Sequence, residues 1–484
     1  MGSLSDRPKR CGTLRKTPKR GAGLLDKFST FYAKMLFVAF RTTFAGVLLA
    51  AAGLALPAPV SAVTRFVALT GSDTANPCTD AALPCATIQH AVDVSLPGDT
   101  LQIAAGVYNQ RIRIEGKTGL TLEADGVTLR PDPAALGPSD VPQGSPCSGG
   151  RGRAVVFILD STGIVLNGLL IDGSAAQPAP SEPDRLAGIF FRNASGAVNR
   201  GGVIHLRTAP ASPNQVAGLG IVVQTAAPIP SIRPRVDIQG VAVSDFQKTG
   251  IVFSGCDCAA DGGPTGSVRG STVVSETDPL IARNGIQVSF GAGGVVLEDN
   301  LVSGMRYTGD PSLGLGSAVI LASSRGDELT GNTLSDSNFG ISNIGDIFCT
   351  PREDENLANQ ILCNRILGND WGLAIDNNTH TIRGNDFSGN TELAVLTRSY
   401  FPASQSDADA SGNYWGSPTG PTTPANPGGT GDAVDDRVDF TPFLTAPSAC
   451  ARDVVTEIPT ASASGLALLS LLLAASALLC LRRR

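Results

Sequence analysis

Leu297-Glu298-Asp299-Asn300-Leu301-Val302 decides how this chain folds, because it returns as Leu329-Thr330-Gly331-Asn332-Thr333-Leu334, Ile361-Leu362-Cys363-Asn364-Arg365-Ile366 and Ile382-Arg383-Gly384-Asn385-Asp386-Phe387. In each copy one asparagine stands three residues after a large hydrophobe and two before another. A fifth copy is imperfect, with Ala410 and Trp415 flanking Asn413. A second track runs in step: a small residue, then hydrophobes at alternate positions. It reads Gly250-Ile251/Phe253, Gly285-Ile286/Val288, Ala318-Val319/Leu321 and Gly372-Leu373/Ile375, with Gly340-Ile341 as a degraded copy. Alternation with period two marks strands, and recurrence in steps of roughly 21 to 35 residues marks stacked units. Short strands with Gly, Asn, Asp and Ser turns, and no amphipathic helix between them, predict an all-β parallel solenoid.

The asparagines fit that geometry. Successive coils lie one strand spacing apart, about 4.8 Å, so the amides of Asn300, Asn332, Asn364, Asn385 and Asn413 can bond one another as a ladder. Asparagine also tolerates the left-handed turn conformation. A structural ladder is the plain reading, and a row of sugar-binding amides is the sharper one.

Composition agrees. The 484 residues include 56 Gly and 32 Pro, with 5% aromatic and 17% charged residues, which suits a turn-rich β structure built as one long domain. A net charge of −6 argues against a nucleic-acid partner, which would need a basic face. The basic stretches sit at the two ends. Lys34 and Arg41 precede the apolar run Phe44–Leu56, and Pro57-Ala58-Pro59-Val60-Ser61-Ala62 supplies small residues for cleavage after Ala62. Residues 1–62 therefore read as a basic extension and signal peptide, with Met35 as an alternative start. At the far end Ile458, Pro459, Thr460 and Gly465 lead into an apolar run from Leu466 to Leu481, closed by Arg482, Arg483 and Arg484. That run is near the length of a membrane helix, and the arginines would hold its end in the cytoplasm. The expected layout is a body over residues 63–446, a linker over 447–457 and a tail over 458–484.

Eight of the ten cysteines lie between the two terminal segments, consistent with export and disulfides. Cys78 and Cys85 close one short loop and Cys349 and Cys363 are expected to close another; Cys147, Cys256, Cys258 and Cys450 stay unassigned. His90, His205 and His380 have no cysteine beside them in the sequence, so no metal cluster is expected.

Two sets of motifs carry a family resemblance. The opening Pro84-Cys85-Ala86-Thr87-Ile88-Gln89-His90-Ala91-Val92, with Pro97-Gly98-Asp99-Thr100 and Gly106-Val107-Tyr108, resembles the entry coil of pectin-lyase-like right-handed parallel β-helix proteins. The closing Asn413-Tyr414-Trp415-Gly416, with Gly420-Pro421 and Val438-Asp439-Phe440, is similar to their terminal coil. Ile88, Ala91 and Val92 are spaced for a short helix over the lower end, and Trp415 and Phe443 are expected to cover the upper one. The tail resembles the IPTL-CTERM sorting signal of Gram-negative bacteria, departing from it at Ala461, Ala463 and Ser464. That resemblance implies an envelope location, inner-membrane contact through a carboxy-terminal helix, and a sorting protease as partner.

Chemistry is harder to place. Enzymes of the pectin-lyase-like family use clustered acids, or acids with a basic residue. Here Asp370, Asp376 and Arg383 are the candidate set, with Asp346, Arg352, Glu353, Asp354 and Glu355 adding charge nearby. Two carboxylates across a glycosidic bond could cleave it, whereas turn carboxylates with no catalytic role give the same pattern. Asp432, Asp435 and Asp436, like Asp407 and Asp409, offer hard oxygen ligands that suit calcium; no other cofactor is expected. Arg111, Arg113 and Lys117 could meet acidic sugars or form a solvated face. The leading expectation is a non-enzymatic exported protein for adhesion or glycan contact, with a polysaccharide lyase or glycoside hydrolase as the alternative and an envelope spacer as a third reading.

Overall fold

The computed structural model describes residues 61–136, 140, 152–176, 185–207, 217–226, 230–255, 262–344, 358–375, 379–397 and 407–452. Among these, three long parallel sheets run side by side. Sheet A holds eleven strands from Thr64–Val67 to Thr381–Arg383, sheet B ten from Gly106–Tyr108 to Asp386–Ser388, and sheet C ten from Ile112–Glu115 to Leu393–Leu396. The chain visits A, B and C in turn and then climbs one strand spacing, as in a parallel β-helix. Right-handed winding is the rule for such crossovers. Between Gly106 and Glu115 the chain forms two strands, Gly106–Tyr108 in sheet B and Ile112–Glu115 in sheet C. Alternation carries on across that corner because Tyr108, Ile112 and Ile114 all point into the core, where none is exposed.

The asparagine ladder forms where sheet A turns into sheet B. Nδ2 of Asn300, Asn332, Asn364 and Asn385 donates to Oδ1 of the asparagine one coil above, at 2.9, 2.9, 3.0 and 3.0 Å. The second proton of each of these amides goes to a backbone carbonyl of the coil below, Val268, Leu297, Leu329 and Ile361. Each Oδ1 from Asn332 to Asn413 also accepts the backbone N–H of the asparagine below it. All five asparagines are buried. The left-handed conformation falls on the preceding residue, Asp299, Gly331, Cys363, Gly384 or Gly412, and not on the asparagine as expected. That residue turns the corner and leaves the asparagine aimed inward.

The small-residue track has an equally direct cause. A Cβ at Gly285 would run into Val302 of sheet B and the Ala318 carbonyl, and one at Gly372 into Phe387 and the Ala394 carbonyl. Sheets B and C converge there, so the alternate hydrophobes begin only after a residue with little or no side chain.

Both ends are closed. Helix α1 (Ile88–Val94) buries Ile88, Ala91 and Val92, and Thr87 caps it by accepting the His90 N–H at 3.2 Å. Covering an open sheet edge in this way removes a pairing hazard. At the top, Trp415 is fully buried and stacks on Phe387 at 5.2 Å, while Phe443 packs partly buried against the same core. Cys78 and Cys85 are joined as expected. Cys363, however, pairs with Cys450 and not with Cys349, which lies outside the described residues along with Cys147, Cys256 and Cys258. The bond spans 87 residues and ties the closing segment to the ladder corner. None of the described helices is long and apolar enough to cross a membrane; the signal region and the tail with Ile458, Pro459, Thr460, Gly465 and Arg482–Arg484 lie outside the described residues.

Two stability outcomes follow from these contacts. Asn364→Ala removes two donated and two accepted bonds from a sealed stack, and each group left unsatisfied costs about 1–3 kcal/mol. We expect urea denaturation to show a loss above about 3 kcal/mol, against little change for Thr162→Ala on an exposed corner; equal effects would remove the ladder from its central role. Cys450→Ser should cost about 2–4 kcal/mol under non-reducing conditions, and the difference should vanish when both proteins are reduced.

Candidate functional site

The outer face of sheet C is where surface chemistry collects. Its central row, in register coil by coil, runs from Arg113 through Phe157, Phe190, Val222, Val252, Gln287, Ile320 and Ser342 to Ala374. The lower part is apolar: Phe157 and Phe190 meet edge to face at 5.5 Å and cluster with Ala154, Ala187, Val222 and Val252 outside the main core. The middle is amide and hydroxyl. Asn284 reaches Gln287 at 3.3 Å, Gln287 donates to Ser289 Oγ at 2.9 Å, and Arg192 donates to Gln224 at 2.9 Å. The upper part carries Phe339 stacked on Trp371 with centroids 5.0 Å apart, in register with Ser317 and Leu393.

Glu115, paired with Arg113 on the first strand, is the acid that the described strands of this sheet carry. The nine strands of sheet C from Gly152–Leu159 to Leu393–Leu396 contain neither Asp nor Glu. The described members of the candidate set, Asp370 and Arg383, sit at corners with structural partners. Asp370, ahead of sheet C, pairs with Arg306 and accepts from Asn338 Nδ2 at 2.7 Å. Arg383, at the end of a sheet A strand, pairs with Asp409 and donates to the Asp409 carbonyl at 3.0 Å. The hydrogen bond from Arg383 holds the Asp409 carboxyl below its ordinary value. Asp370 and Arg383 thus belong to different corners, and Asp376, Asp346 and residues 352–355 lie outside the described residues. Arg111 and Arg113 both pair with Asp140, Arg113 also with Glu115, and Lys117 donates to the Asp93 and Ser95 carbonyls.

Asp432 has a role that the sequence concealed. A second ladder occupies the B-to-C corner: Ser337 N–H donates to Asn369 Oδ1, Asn369 Nδ2 to Asn390 Oδ1 at 3.1 Å, and Asn390 Nδ2 to Asp432 Oδ2 at 2.9 Å. Asp432 also accepts the N–H groups of Gly389 and Asn390, so its carboxylate terminates the column. Burial pushes its pKa up. The missed signal was an interval of five, Asn364 to Asn369 and Asn385 to Asn390, each second asparagine again following a left-handed glycine. Asp435 accepts weakly from Thr397 N–H at 3.4 Å, and Asp436 is exposed.

A third column lines the C-to-A corner. Val295 N–H donates to Asp327 Oδ1 at 2.9 Å, Asp327 N–H to Asn359 Oδ1 at 2.9 Å, and Asn359 N–H to His380 Nδ1 at 3.3 Å. His380 is thus a ladder member. With Nδ1 accepting, Nε2 carries the proton, and the neighbouring Asn343 amide, 2.9 Å away, meets it best with its oxygen. Burial pushes Asp327 up to about 7 and His380 down to about 4.

A family model described as "Periplasmic copper-binding protein (NosD)" matches residues 235–420, less than half of the chain. No curated protein matches. Among solved structures, the native GH136 lacto-N-biosidase from Eubacterium ramulus is similar at 13% identity and a TM-score of 0.54, over 79% of this chain and 68% of that one. Its selenomethionine derivative gives 14% and 0.52, over 72% and 67%. The periplasmic alginate epimerase AlgG gives 12% and 0.39, over 71% and 76%. At such identities the likeness to the biosidase is one of fold.

Copper does not fit the described residues of the matched stretch. Their soft donors are Met305, sealed in the core, Cys363, held in a disulfide, and His380, held in its column, and the three do not converge. A three-donor group does occur lower down, where His90 approaches Cys78 and Cys85, contrary to the expectation from sequence spacing. Those sulfurs are bonded to each other, and His90 Nε2 lies 2.8 Å from the Asn76 carbonyl.

The third column has a pH signature. Between about pH 4 and 6.5 an unfolded chain has Asp327 charged and His380 protonated, whereas the fold has the reverse. Raised Asp327 makes stability fall as pH rises through this range, and depressed His380 makes it rise, so the two cancel. We expect Asp327→Asn to unmask a rise and His380→Gln a fall, each with a slope of up to about 1.4 kcal/mol per pH unit. Denaturation midpoints from pH 4 to 7 measure this; parallel profiles for both variants would contradict it.

Proposed function

We propose that this is an exported envelope protein whose outer sheet C face makes non-catalytic contact with glycans. The supporting observation is the makeup of that face: a stacked Phe339–Trp371 platform, a row of amides and hydroxyls, and strands without acids. Aromatic faces suit the apolar sides of sugar rings and amides suit their hydroxyls. The periplasmic description of the matching family supports export. In this reading residues 1–62 direct export and are removed, residues 447–457 link the body to its anchor, and the tail from Ile458 to Arg484 crosses or is sorted at the inner membrane of a Gram-negative cell.

The test is binding of the full chain to a panel of neutral and uronic-acid polysaccharides. Trp371→Ala should weaken binding by about 0.5–1.5 kcal/mol, roughly two- to tenfold, without changing the fold. Binding to none of the panel would favour the spacer reading. Cleavage of a polysaccharide, abolished by Asp376→Ala, would instead establish a lyase or hydrolase.

A further inference from the structure

The geometry points to an anion subsite where sheet B passes into sheet C, at Lys248 and Arg283, which we propose receives a carboxylate, sulfate or phosphate group on the bound glycan. This deepens the glycan reading and rests on it for the identity of the chain that carries the anion.

Lys248 and Arg283 each precede a residue at the edge of the face, Thr249 and Asn284, and those two pair in register. The two cations therefore hold the same position on successive coils, joined by the Asn284 N–H to Lys248 carbonyl bond of 2.9 Å. Like charges one strand spacing apart, about 4.8 Å, repel unless each is compensated. Arg283 is compensated: it is buried, it pairs with Asp278, and it donates to Ser275 Oγ at 2.9 Å and to the Glu276 and Gln247 carbonyls. Arg207 nearby pairs with Asp245.

Lys248 differs. Its ammonium donates to the Ala282 carbonyl, and no carboxylate among the described residues lies within ion-pair distance. Burial, and then the Arg283 charge, push it down to about 8. The side chain is nonetheless partly exposed. Above and below the pair the column holds only Gly316 and Gly218, so no neighbouring side chain in the column supplies a countercharge. The adjoining strands of sheet C contain no acid either. A poorly solvated ammonium next to a guanidinium, at the rim of strands without an acid, is a place for an anion to be taken up, because a buried charge is stable only when paired.

The experiment has two arms on the full chain. In the first, acetic anhydride labels Lys248 and Lys117, and mass spectrometry follows each with sodium sulfate present or absent. Sulfate should slow labelling of Lys248 severalfold and leave Lys117 unchanged; no protection overturns the subsite whatever the glycan is. In the second, calorimetry compares trigalacturonate with maltotriose. The acidic sugar should bind about tenfold tighter near pH 6 and lose that advantage near pH 10, where Lys248 is neutral; the other charged groups around the pair are Arg207, Asp245, Glu276 and Asp278. Lys248→Gln should abolish the difference and Lys248→Arg should preserve it at both pH values. Equal binding of the two sugars by the unaltered protein, or a preference surviving Lys248→Gln, overturns the assignment to an acidic glycan. Binding of neither sugar, with sulfate protection intact, would leave the anion subsite standing and sink the glycan reading.

Discussion

Repetition at one strand spacing is the constraint on which everything else in this protein rests. Whatever side chain occupies a position meets a counterpart about 4.8 Å above and below. An aliphatic residue meets that condition by packing, and a primary amide meets it by being donor and acceptor at once. Asn364 shows the amide solution complete: its two protons go up to Asn385 and down to the Leu329 carbonyl, while its oxygen takes both N–H groups of Asn332. No other side chain of that size satisfies itself by stacking on its own kind. A corner that must be turned on every coil can thus stay dry without an orphaned polar group.

The same condition explains what was legible in the sequence and what was not. The inner wall and first ladder were readable because each is written as a repeat along the chain. The second ladder escaped because it begins with Ser337 and ends on Asp432, far from the asparagines it serves. His380 escaped for the same reason: its column is Asp327, Asn359, His380, three unlike residues made equivalent only by register. The pairing of Cys363 with Cys450 was invisible because the closing segment doubles back onto the ladder corner over 87 residues. Residues that repeat announce their place; residues that terminate a repeat do so only in three dimensions.

This also reorders the candidate acids. Asp370 and Arg383 looked associated because they are close in sequence, but a coil separates neighbours along the chain onto different corners. Each has a partner that fixes the local turn, Arg306 for one and Asp409 for the other. The upper described strands of sheet C offer aromatic, amide and hydroxyl groups, which is the basis of the glycan-contact reading proposed above.

Charges test the stacking rule most severely, because an ion in register with a like ion gains nothing from repetition. Charged side chains here leave the difficulty by pairing along a strand, as Arg235 does with Asp237, or by meeting an opposite charge in register on the next coil, as Arg269 does with Glu298. Arg283 pairs inward with Asp278. Lys248 is stacked beneath it with a carbonyl as its partner, and glycines bound the column on both sides. At this corner the ammonium of Lys248 sits against the edge of sheet C with a carbonyl as its partner, and that is the opening the proposed anion would fill.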